Sequence, residues 1–121
     1  MKNTLLTILF IFAAGHLCSY GLPWWAIAPV AAVPGWVFRQ SPVRSLLAGF
    51  AGGFLLWLTV ALLADMANGG ILSARIGALF MGAPASGLAL VTGILGGLLA
   101  GLGCLTGRWA SDLVGQPAKA R

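Results

Sequence analysis

Apolar residues fall into four long blocks joined by short polar or glycine-rich links. They run over residues 4–20 (TLLTILFIFAAGHLCSY), 23–38 (PWWAIAPVAAVPGWVF), 45–64 (SLLAGFAGGFLLWLTVALLA) and 88–106 (LALVTGILGGLLAGLGCLT). Polar positions inside the blocks do not recur with the helical period, so no block has a polar face to turn to water. Such blocks predict helices immersed in lipid. The third is the clearest span, because its length as a helix, about 30 Å, matches the hydrocarbon core of a bilayer. The second reaches only about 24 Å. Pro29 and Pro34 interrupt it, which predicts a kink or neighbouring helices that satisfy the freed carbonyls.

The links complete the outline. Gly21-Leu22 forces a tight hairpin between blocks one and two, and RQSPVR (39–44) is a short polar loop. Residues 66–86 read as an irregular connector. In it Asn68-Gly69-Gly70 ends the third helix, with Gly69 or Gly70 as the C-terminal cap. ILSARIGALF (71–80) predicts a short helix with Leu72, Ile76, Leu79 and Phe80 near one face, and GAPASG (82–87) stops it. The chain therefore reads as an all-α membrane protein. Four transmembrane helices form an antiparallel up-down bundle, with a short interfacial or re-entrant helix between helices three and four. Residues 1–107 make the transmembrane domain, and 108–121 a polar, frayed tail. The first block follows Lys2 and also has the form of a signal peptide cleaved after Gly15. Apolar sequence resumes at once, so an uncleaved helix is expected.

Composition agrees. Hydrophobic residues make up 60% of the chain and charged residues 7%, against about 25% charged in soluble domains. So few charges exclude a water-soluble globular fold. The net charge of +5 raises nucleic acid as a partner, but the seven basic residues form no stripe or aromatic platform, which excludes that class. They flank the apolar blocks, where they set topology. Four spans put Lys2, Arg39, Arg44, Arg108, Lys119 and Arg121 on one side with both termini, and leave Arg75 alone on the other. With a bacterial inner membrane presumed, this asymmetry predicts cytoplasmic termini.

Glycine spacing is the most specific pattern. Gly93, Gly97 and Gly101 recur every fourth residue in block four, and Gly49 and Gly53 do so in block three. Small residues at this spacing let helix backbones approach closely. The partner face belongs either to another helix of this chain, with three on four preferred, or to a second copy. LLAGFAGGFLLWL (46–58) and LVTGILGGLLAGL (90–102) also align with each other, a faint internal repeat.

Chemistry-bearing residues are few. The chain has two acidic residues and one histidine. Asp65 ends the third block and Arg75 follows ten residues later, so an ion pair across the Asn-Gly-Gly turn is expected. His16, Asp65, Asn68 and Arg75 form a candidate polar site on the outer side. No ligand spacing suggests a metal or cofactor. Cys18 and Cys104 belong near opposite surfaces, too far apart for a disulfide. No nucleophile motif, phosphate loop or carboxylate pair points to an enzyme. The expectation is a small non-catalytic integral membrane protein. It would act as an assembly or accessory subunit through glycine-rich packing, as a homo-oligomer or within a larger complex. The alternative is a small oligomeric transporter or channel with an outer polar site.

Overall fold

The computed structural model describes residues 2–82 and 84–115. These form five α-helices and no strand: α1 (Lys2–Cys18), α2 (Ile27–Phe38), α3 (Pro42–Ala67), α4 (Ile71–Leu79) and α5 (Ala85–Gly115). A single 3-10 turn, Trp24–Ala26, precedes α2. Two helices are long and apolar enough to cross a membrane: α3, and α5 over Ser86–Gly115. α1 and α2 are apolar but shorter.

Local chemistry sets the ends of these helices. α3 begins three residues before the apolar block does. Pro42 is preset for a first helical turn, and the Ser41 hydroxyl caps it by accepting the Arg44 N–H at 3.4 Å. At the other end Gly69 and Gly70 take positive φ angles of 70° and 76°. This left-handed turn lets the Gly70 N–H donate to the Asp65 carbonyl at 2.9 Å. The same Gly70 then starts α4. α2 holds Pro34 in its interior, buried. It ends where Arg39 turns left-handed at φ 47°.

α5 does not stop at residue 107. It continues for two more turns to Gly115, so the start of the expected polar tail is helix. Gly107 and Ser111 face inward, Ser111 with no exposed surface, and this packing carries the helix on. The rest of the expected tail, 116–121, lies outside the described residues.

α5 is the centre of the assembly and packs along α3 and α2, while α1 lies against α3 and α2. α4 touches α5 and α3. Glycine makes close approach possible here. A Cβ placed on Gly101, Gly97 or Gly93 would stand 3.0, 2.9 or 3.3 Å from the carbonyl oxygen of Leu46, Phe50 or Phe54 respectively. The α3 number rises by four as the α5 number falls by four. On α3, Gly49 meets Ala100, Gly101 and Cys104, and Gly53 meets Gly96 and Ala100. The other side of α5 meets α2: the carbonyls of Ala28 and Ala32 stand where a Cβ of Gly103 or Gly107 would go. There the two numbers rise together. They also rise together between α1 and α3, where Ile11 fills the space beside Gly52, and Leu56 that beside Gly15.

Large apolar side chains cover the outside. Along α5, Val91, Ile94, Leu95, Leu98 and Leu102 are all exposed, at helical spacing. Ile11, Ile27, Ala31, Leu56, Ala100 and Cys104 form the buried core.

The backbone contacts give a test with a sign. Gly→Ala in an open helix gains about 0.5–1 kcal/mol. Gly107→Ala puts a methyl into the Ala32 carbonyl, so it should instead destabilise by about 1–3 kcal/mol. Gly87→Ala, where the nearest atom is 3.6 Å away, should be neutral or stabilising. Unfolding by SDS in mixed micelles measures both.

Candidate functional site

α3 carries Asp65 in its last turn, and the two-glycine link folds α4 back beside it. The Ser73 hydroxyl on α4 donates to Asp65 Oδ1. The expected Asp65–Arg75 ion pair is not made; Arg108–Asp112 is the ion pair found among the described residues. Helical geometry explains the difference. Ser73 and Arg75 are two positions apart, about 200° around the α4 axis. With Ser73 turned to α3, Arg75 turns outward and is exposed.

Asp65, Asn68 and Ser73 line a groove of about 590 Å³ between α3, α4 and α5. Leu72, Ile76 and Phe80 of the expected apolar face of α4 also line it, while Leu79 of that face is 82% exposed. His16 lies elsewhere. It lines a second cavity, about 440 Å³, together with Cys18, Tyr20, Ile27, Trp57 and Val60. Its ring stacks on Phe12 at 5.6 Å between centroids and meets Tyr20 edge-on at 6.2 Å. His16 Nδ1 and Trp57 Nε1 are buried without hydrogen-bond partners. The four residues grouped by sequence as one outer site are thus divided. Asp65 and Asn68 share the groove, His16 has its own cavity, and Arg75 lines neither.

Both cysteines carry free thiols, Cys104 buried and Cys18 half-buried. Among the described residues no three His, Cys, Asp or Glu side chains gather into a group that could hold a metal. Gly49, Gly53, Gly93, Gly97 and Gly101 lie on facing sides of α3 and α5 and are filled by each other's neighbours.

At the opposite end of α3 lies a polar network that the sequence reading missed. Its centre is Gln40, in the link between α2 and α3. Thr4 donates to Gln40 Oε1 at 2.7 Å, and Gln40 Nε2 donates to Thr7 Oγ1 at 2.8 Å. The Thr7 hydroxyl, fully buried, donates onward to the Asn3 carbonyl at 2.8 Å. Arg108 of α5 donates through Nε to the Gln40 carbonyl and pairs with Asp112 one turn on. Arg39 covers Gly115. One link residue therefore ties α1 to α5. Two local signals were available: Thr4 and Thr7 share a helix face at i,i+3 spacing, and Arg108 and Asp112 stand at i,i+4. Neither reveals that Gln40 is the partner.

No protein-family model, curated protein or solved structure matches this chain.

The network predicts coupling. Thr7→Val and Gln40→Leu should each destabilise by about 1 kcal/mol. The double variant should cost less than the sum by about 0.5 kcal/mol or more. A double-mutant cycle read by SDS unfolding checks this, and strict additivity would contradict it.

Proposed function

We propose that this chain is a small, non-catalytic integral membrane protein that serves as an assembly or accessory subunit. In this reading α1, α2, α3 and α5 are four spans of a bacterial inner membrane, with sequential spans antiparallel and both termini cytoplasmic. The contact registers support the arrangement: numbers run oppositely between α3 and α5, and together between α2 and α5 and between α1 and α3. The basic residues support the orientation. Lys2 starts α1, Arg39 and Arg44 flank the α2–α3 link, and the network joins Arg108 to that same end. Arg75 stands apart on α4. Excess Lys and Arg mark the cytoplasmic side.

The observation that carries the functional reading is the close packing of α5 between α2 and α3. Glycine contacts bring α5 against the backbones of α2 and α3. The hydroxyls of Thr59 and Thr92 are turned onto their own helices, donating to Leu55 and Leu88 carbonyls at 2.7 and 2.9 Å. Packing this close leaves little room for a polar path between α5 and the two helices it meets. What the chain offers is an outer surface of large apolar side chains, suited to lipid and to the helices of a partner. The glycine faces are used within the chain, so docking falls to that outer surface.

A second reading, a small transporter or channel formed by several copies, draws support from Asp65, which lines a groove and has no cation in ion-pair range among the described residues. Mass decides between the two. The accessory reading expects the gently solubilised, tagged protein to bring other polypeptides with it in fixed ratio. A uniform homo-oligomer without foreign subunits would overturn it in favour of the second.

A further inference from the structure

The groove beneath α4 has the size of a small-molecule site. Its volume is about 590 Å³, inside the roughly 300–1,000 Å³ range of ligand pockets. Its walls are mainly apolar, with Leu62, Leu72, Ile76, Leu88 and Val91 prominent. The polar groups are not equivalent. Thr92 spends its hydroxyl proton on the Leu88 carbonyl, and Ser73 spends its own on Asp65. Asp65 accepts that one hydrogen bond, whereas a carboxylate has about four lone-pair positions. Among the described residues no Lys, Arg or His lines the groove. The chain's other carboxylate, Asp112, is already paired with Arg108. Asp65 is thus the one acidic side chain among the described residues with no cation in ion-pair range, and it is half-buried beside an apolar wall.

We propose that this groove binds a small amphiphilic organic cation, its primary or secondary ammonium on Asp65 and its hydrocarbon body along Leu62, Leu88 and Val91. Charge complementarity selects the class. An anionic amphiphile meets the carboxylate with like charge, and a neutral one leaves it unpaired. A charge-assisted N–H···O bond in partly dehydrated surroundings is stronger than a neutral one, while the apolar wall rewards a body of several carbons. The site goes beyond both readings of function and requires neither foreign subunits nor a pore.

Calorimetry on the purified full chain in phosphatidylcholine nanodiscs tests the site, with empty nanodiscs as the baseline for partitioning. That lipid has no N–H donor to compete. Hexylammonium should bind saturably, and hexanol, its neutral counterpart, about tenfold or more weakly. Asp65→Asn keeps an oxygen for Ser73 and should lower hexylammonium affinity about tenfold or more; Asp112→Asn should leave it unchanged. Ala61→Phe, which fills the groove from α3, should abolish binding with Asp65 intact, and carries the test alone if Asp65→Asn does not fold. Equal affinity for hexanol and hexylammonium, wild-type affinity in Asp65→Asn or Ala61→Phe, or no saturable heat would overturn the proposal. Loss of binding when phosphatidylethanolamine replaces phosphatidylcholine would also overturn it, by making a lipid headgroup the occupant.

Discussion

The approach of the α5 backbone to the carbonyls of α2 and α3 is the constraint on which the rest of the bundle depends. Oxygens of Leu46, Phe50 and Phe54 stand over Gly101, Gly97 and Gly93 on one side, and those of Ala28 and Ala32 over Gly103 and Gly107 on the other. In lipid no hydrophobic force draws helices together, because acyl chains are as apolar as leucine. If the helices lie in a bilayer, as proposed, attraction comes from dispersion between close surfaces and from Cα–H···O contacts, each worth about 0.5–1 kcal/mol. Both need backbones near one another, and a Cβ at Gly97, Gly103 or Gly107 would force the facing backbone to shift. Glycine on two sides of one helix makes α5 the element that holds α2 and α3.

Close packing also decides where polar chemistry is placed. Partway along α3 and α5 the Thr59 and Thr92 hydroxyls fold back on their own helices. Polar side chains that reach across elements gather instead toward the two ends of α3. At its start, Gln40 joins Thr4, Thr7 and Arg108 into one hydrogen-bonded group that ties α1 to α5. At its finish, Asp65 and Ser73 hold α4 over a groove. The first is hydrogen-bonded within itself. The second leaves a carboxylate with acceptor positions to spare.

What was legible in the chain follows from what is local. Apolar blocks, the Asn-Gly-Gly stop and the every-fourth-residue glycines are properties of short stretches, so the helices, including α4, could be read directly. Helix ends were read less well. The Ser41-Pro42 start of α3 obeys ordinary capping rules yet precedes the apolar run, and α5 passes residue 107 because Ser111 and Arg108 find places in the packing. Side-chain partners were hardest. Asp65 and Arg75 attract by charge, but the direction in which α4 folds back offers Ser73 instead. Gln40 looks like any loop residue until α1 and α5 are brought to it.

Whether these glycine contacts lie within one chain or between copies is the central point, and isotope-filtered nuclear Overhauser spectroscopy addresses it directly. In uniformly labelled protein the Phe50 ring should show cross-peaks to the Gly97 Hα protons, and the Phe54 ring to those of Gly93, since these rings pass 3.0 and 3.1 Å from the positions a Cβ would take. In an equal mixture of labelled and unlabelled chains, filtered for contacts between molecules, the same cross-peaks should vanish. Their persistence between molecules would contradict the account, and would make the glycine faces an interface between copies.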